Sequence, residues 1–240
     1  MYIGLDLGTS GLKAVLINMD QVIVAEAQVP LKSTRPQAGW SEQDPSDWTA
    51  ATQVVMTALA AQTPLNSVRG IGLSGQMHGA TLIDAAGDVL MPCLLWNDTR
   101  AAVQAAALDA EPVFRDITGN IVFAGFTAPK VKWVLTHHPE IFARIDKVLL
   151  PKDYLRFWLT GEAVSEMSDA AGTSWLDTAK RDWSDELLAK TGLTRAQMPG
   201  LVEGSEVSAI LRHSLALKWG LPKGVVVAGG GGDNASSAVG

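Results

Sequence analysis

Hydrophobic and polar positions alternate from the first residue of the chain. Residues 2–7 (Tyr2-Ile3-Gly4-Leu5-Asp6-Leu7), 12–18 and 21–29 read as three strands, separated by the short turns Gly8-Thr9-Ser10-Gly11 and Met19-Asp20. Connections this short join neighbouring antiparallel strands, which predicts an opening meander. Residues 30–43 hold Pro30, Pro36, Gly39 and small polar side chains, the composition of a loop. At Asp44-Pro45-Ser46-Asp47 the period turns helical, with an N-cap candidate, proline at the first helical position and an acid in the first turn. Trp48, Thr52, Val55 and Leu59 then share one face, which predicts a helix to about Gln62. Residues 68–74 read as a buried strand running into the loop Gly75-Gln76-Met77-His78-Gly79, and residues 80–83 and 89–91 as a short hairpin.

From Asn97 to about Leu221 the signal is mostly helical, over 98–108, 129–136, 151–159, 184–191 and 206–219, with a loop at 168–182. Residues 224–228 return to strand, and the four glycines Gly229 to Gly232 lead into Asp233-Asn234-Ala235 at a helix start. The order is that of an α/β chain. A mixed five-stranded sheet from about 1–95 and 222–240 is expected to carry a largely helical insertion at about 97–221. No Ser/Pro/Gly linker separates the two, so the insertion reads as part of the same unit.

Composition narrows the function classes. The chain has 240 residues, 47% of them hydrophobic, with 19 basic against 25 acidic side chains and a formal charge of −6. Nucleic-acid and membrane-surface binding need clustered Lys/Arg, and no basic run occurs. No window approaches the roughly 18 apolar residues of a membrane span, and no charged-then-apolar leader opens the chain. A single cysteine, Cys93, excludes an internal disulfide and reads as a small buried apolar residue in a reducing compartment. A cytoplasmic location is expected.

The candidate chemistry lies in four places. Asp6 is a carboxylate on an apolar strand, where burial without a partner is costly. It precedes a turn whose Gly8 and Gly11 free backbone N–H groups, Thr9 and Ser10 add hydroxyls and Lys13 adds charge. That suits metal and phosphate binding, and equally an ordinary hairpin with an exposed Asp. Gln76, Met77 and His78 sit between two glycines at the carboxyl end of a strand, where ligands of α/β folds bind. Leu95-Trp96-Asn97-Asp98-Thr99-Arg100 offers either a capped helix start or an aromatic wall beside a carboxylate. Asp233 follows the glycines and suits a helix cap, a metal ligand or a general base. No Gly-Lys-Ser/Thr follows those glycines, which excludes a P-loop. His137-His138 lacks partners at metal-ligand spacing.

Taken in order, these segments resemble the N-terminal half of the FGGY family of carbohydrate kinases. The resemblance covers all 240 residues, including Asp153-Tyr154-Leu155 with Leu159-Thr160-Gly161 and residues 168–173 (Ser168-Asp169-Ala170-Ala171-Gly172-Thr173). It implies a ribonuclease-H-like lobe of the actin/hexokinase/Hsp70 type that binds the sugar, opposite a nucleotide lobe that this chain lacks. It implies ATP and Mg²⁺ as cofactors, Asp233 as catalytic base and Asp6 as the acid holding Mg²⁺ directly or through water. Thr9, Ser10 and Lys13 fall in its phosphate-binding hairpin. Met77 and His78 match sugar contacts, with Asp98 and Asn234 as further candidates and Gln76 and Trp96 beside them. D-xylulose is the expected substrate. Glycerol, ribulose or gluconate, or a non-catalytic sugar-binding module, are the alternatives. The resemblance leaves a homodimer open. By itself the chain is expected to be a fragment that binds sugar and transfers no phosphate.

Overall fold

The structure is a computed structural model that describes residues 1–239. Gly240, at which the expected lobe ends, lies outside the described residues. β1 (Tyr2–Leu7), β2 (Gly11–Ile17) and β3 (Ile23–Pro30) form the expected antiparallel meander. β4 (Glu42–Gln43) leads into α1 (Pro45–Gln62), capped by the Asp44 carboxylate, which accepts from the Ser46 N–H. β5 (Gly70–Gly75) pairs parallel with β1, and β6 (Thr81–Ile83) and β7 (Cys93–Leu94) leave the sheet.

The insertion runs through α2 (Ala102–Asp109), α3 (Pro112–Thr118), α4 (Thr127–His137), α5 (Pro139–Phe142), β8 (Lys147–Leu149) and α6 (Pro151–Thr160). It continues through β9 (Val164–Glu166), α7 (Met167–Ala170), β10 (Leu176–Asp177), β11 (Asp182–Trp183), α8 (Asp185–Lys190) and β12 (Gly200–Val202). β13 (Val207–Ile210) and α9 (His213–Trp219) return the chain to β14 (Val226–Ala228), β15 (Gly231–Gly232) and α10 (Asp233–Val239).

Four expectations need correction. The sheet is mixed but has seven strands, not five, in the order β13-β14-β5-β1-β2-β3 with β15 also on β5. The helix expected over 206–219 is strand β13 followed by α9, because Val207, Ala209 and Ile210 pair antiparallel with β14 as an edge strand, with the register shifting at Ser208. The hairpin at 80–91 is reduced to an Ile83–Val89 bridge, and β6 finds its partner in β8 of the insertion. The expected loop at 168–182 contains α7 and β10.

The meander is amphipathic by strand period. Ile3, Leu5, Leu7, Leu12, Ala14 and Leu16 point to one face and bury against Trp48, Ala51, Val55, Met56 and Leu59 of α1 in one cluster. Each Leu, Ile, Val or Met side chain among them contributes roughly 1.5–3 kcal/mol when fully buried. Gly4, Asp6 and Lys13 take the opposite face and stay open. A second apolar cluster, which includes Phe114, Val131, Val134, Trp175, Leu187 and Leu188, packs the insertion. No helix among the described residues is long and apolar enough to cross a membrane.

Candidate active site

β1, β5 and the β14–β15 line run parallel, so Leu7, Gly75 and Gly232 all lie at carboxyl ends of neighbouring strands. Every candidate loop therefore opens on one edge of the sheet, where α/β ligand sites form. Register puts Asp6 directly between Lys13 on β2 and Ser74 on β5.

The glycine stretch threads between two strands. Gly230 has φ +74°, and a Cβ there would lie 2.0 Å from the Leu73 carbonyl oxygen, so no other residue fits without moving backbone. Past it, Gly231 and Gly232 pair with Ser74 and Gly75, and a Cβ at Gly232 would meet the Met77 side chain at 2.7 Å. This brings Asp233 beside the Gln76-Met77-His78 loop and within electrostatic reach of Asp6. Partial desolvation raises the Asp6 pKa first, and the Asp233 carboxylate raises it further, against Ser74 and Lys13. Asp233 and Asn234 are exposed, and Asp233 Oδ1 accepts from the Asn234 N–H at 2.8 Å.

His78 is fixed from several sides. Its Nδ1 lies 2.9 Å from the Gly172 carbonyl, which can only accept, so Nδ1 carries the proton and Nε2 is left as an acceptor. Burial draws its pKa down to about 4, outweighing the Gly172 bond, and the ring is neutral at pH 7. The ring packs against Phe126 at 4.7 Å and Phe123 at 6.4 Å between centroids.

A chain of polar contacts links the hairpin turn to this loop. The Thr9 hydroxyl donates to Gln76 Oε1 at 3.1 Å and accepts from Trp96 Nε1 at 3.0 Å. Gln76 Nε2 donates to Gln43 Oε1 at 2.8 Å, and Gln43 Nε2 donates to the Thr9 carbonyl at 2.7 Å. Trp96 is 48% exposed and held to the turn by its bond to Thr9, so it is not a core contact. Gln43 is buried and was not legible as a site residue, because an amide in a predicted loop carries no signal of its tertiary partners.

Not every candidate joins the cleft. Asp98 is fully buried, and both its oxygens are engaged by the Arg100 guanidinium and the Ser41 and Arg100 N–H groups. Arg100 also bonds Glu42 at 2.6 Å and stacks 3.6 Å over Trp40. Asp98 thus organises the wall behind Trp96 and has no free lone pair to offer a sugar. Lys13 and Ser10 stay with the hairpin at the sheet edge: Lys13 lies opposite Asp6 in register and pairs with Glu26 at 3.1 Å, and Ser10 is exposed in the turn. His137 stacks on Trp133 at 4.5 Å. Cys93 is free and buried, its thiol pushed up to about 12 by desolvation.

Beneath the glycine stretch lies a buried ionic cluster. Lys152 Nζ stands 2.7 Å from Asp153, 3.0 Å from Asp169 and 3.3 Å from Glu166. Arg156 donates to Ser208 at 2.7 Å, to the Val164 carbonyl at 3.1 Å, and to the carbonyls of Ala228 and Gly229. That guanidinium ties α6 to the strand end from which the glycines depart.

Residues 1–240 match the N-terminal domain of the FGGY family of carbohydrate kinases. A xylulose kinase of Escherichia coli K12 is 56% identical and one of Klebsiella pneumoniae 54% identical, each over 100% of this chain and 50% of the relative. The chain thus spans about half the length of these curated relatives. The crystal structure of a xylulose kinase from Brucella ovis superposes with a TM-score of 0.96 at 62% identity, over 98% of this chain and 49% of that one.

Proposed function

The chain belongs to the FGGY family of carbohydrate kinases, and on that premise we propose that it forms the sugar-binding half of a cytoplasmic, ATP-dependent D-xylulose kinase. What supports this reading is that Asp6, the Gln76-Met77-His78 loop and Asp233 all lie at the carboxyl ends of neighbouring parallel strands, with Asp6 and Asp233 in electrostatic reach of each other. Asp233 takes the proton of the terminal sugar hydroxyl as that oxygen attacks the γ-phosphorus of ATP. The bond from the γ-phosphorus to the β–γ bridging oxygen breaks, and ADP leaves. A positioned carboxylate base contributes about 10²–10⁴-fold. His78 Nε2 accepts from a second sugar hydroxyl, and the aromatic faces of Trp96 and Phe123 cover the carbon chain. Thr9, Ser10 and Lys13 serve the transferring phosphate, and a second lobe beyond these residues holds the nucleotide.

The donor set also fits Mg²⁺. Asp6 presents hard carboxylate oxygen toward Asp233, and their mutual repulsion favours a cation nearby. Among the described residues no group of three or more His, Cys, Asp or Glu side chains could hold a metal ion. Mg²⁺ accordingly would share Asp6 with nucleotide phosphates and water, as this ion prefers. When bound, it spreads the charge of the transferring phosphoryl group.

The substrate assignment is tested by thermal shift of the complete enzyme. D-xylulose at about 100 times its Kd adds roughly 2.7 kcal/mol to apparent stability, a rise of several degrees. Glycerol, ribulose and gluconate at equal concentration give smaller shifts. A larger shift from one of those moves the assignment to that polyol, and no shift from any sugar rejects the reading.

A further inference from the structure

We infer that Lys130 is the positioning residue of the sugar site, its buried ammonium pinning the His78 backbone to the aromatic segment 123–126. This rests on the sugar-kinase reading above. Lys130 lies on α4 and is fully buried, yet none of its hydrogen bonds goes to a side chain. Its Nζ donates to the Gly125 carbonyl at 2.7 Å and to the His78 carbonyl at 3.0 Å. The Thr127 hydroxyl gives the same His78 oxygen a second donor at 3.2 Å.

Each end of this pin is a position that needs holding. His78 has φ +66°, a left-handed backbone that a non-glycine residue keeps only where its surroundings fix it. The direction of its ring, and so of Nε2, follows from that backbone. Gly125 is wedged in turn: a Cβ there would lie 2.5 Å from the Phe123 ring and 2.6 Å from the Trp96 carbonyl. Phe123 and Phe126 pack 4.2 Å apart and both face His78. One ammonium therefore joins two segments that pack against each other, the His78 loop and the aromatic segment of Phe123 and Phe126, into a single supporting wall for the sugar site.

Packing alone would select an aliphatic side chain at this place. Methionine has a similar length and would fill the slot, but it would leave two buried carbonyls without their donor. Burial lowers the Lys130 pKa to about 7, and the neutral amine still has the two N–H groups that the two carbonyls use.

The test is Lys130→Met in the complete enzyme, with folding checked by thermal melting. The sugar KM is expected to rise about tenfold or more, the scale of one buried hydrogen bond, while the ATP KM and kcat stay near wild type. A side chain that only filled space would leave all three unchanged, and a sugar KM within about twofold of wild type at intact folding overturns the inference. Should Lys130→Met not fold, Thr127→Val removes the second donor and Thr127→Ser keeps it. A raised sugar KM in the first that returns in the second supports the pin, and wild-type values in both overturn it. A wild-type enzyme that phosphorylates no sugar overturns this inference together with the reading it rests on. An active wild type with indifferent variants overturns this inference alone.

Discussion

Asp233→Asn in the complete enzyme lowers kcat for sugar phosphorylation by about 10²–10⁴-fold and leaves sugar affinity within a few-fold of wild type. The amide keeps the size of the carboxylate and can still accept from the Asn234 N–H, so the glycine-threaded backbone is undisturbed. What disappears is the proposed proton acceptor. The substitution also removes the neighbouring charge that raises the Asp6 pKa, so that pKa moves down. Steady-state kinetics with calorimetric sugar binding separates the two effects. Turnover at the wild-type rate would remove Asp233 from the role of base.

Arg156→Met is the expected extreme in stability. It leaves the Ala228 and Gly229 carbonyls without their guanidinium donor and removes a cation from a buried cluster that holds three carboxylates. Breaking a buried pair by removing one partner costs about 3–5 kcal/mol, because the remaining charge stays buried and unpaired. Lys13→Met, which breaks the exposed pair with Glu26, costs under about 1 kcal/mol, since water screens that pair on an open sheet face. Urea denaturation of both variants reads the contrast directly. Equal midpoints would mean that the cluster does not hold the glycine stretch in place.

Much of this organisation was legible along the chain because local periodicity and tertiary burial agree. The meander shows strict alternation about Leu5, Leu7, Leu12 and Leu16, and α1 carries its own start signal at Asp44-Pro45, so both formed as read. β13 was lost inside an expected helix because it is an edge strand. Val207 and Ile210 are exposed, and no buried face imposes a two-residue period on it. Within the site, residues carried by glycine-flanked loops stood out, whereas Gln43, Lys130 and Arg156 did not. A hydrophobicity pattern scores a charged or amide side chain as surface, and only the fold shows that each faces backbone carbonyls. One signal was available: Lys152 and Arg156 share spacing with Leu155 and Leu159, which puts two cations on the buried face of α6. Asp98 fails in the opposite sense. Its own sequence neighbour Arg100 engages both of its oxygens, so a carboxylate that looked available beside Trp96 is part of the scaffold.

The central claim is that this cleft presents a sugar hydroxyl to Asp233 for phosphorylation. The most direct measurement is product analysis of the complete enzyme with D-xylulose, ATP and Mg²⁺ by phosphorus NMR and mass spectrometry. The account predicts one phosphate ester on the terminal hydroxyl for each ADP formed, and its loss in Asp233→Asn. ATP consumed without a phosphorylated sugar, or a phosphorylated sugar made equally well by Asp233→Asn, would contradict it.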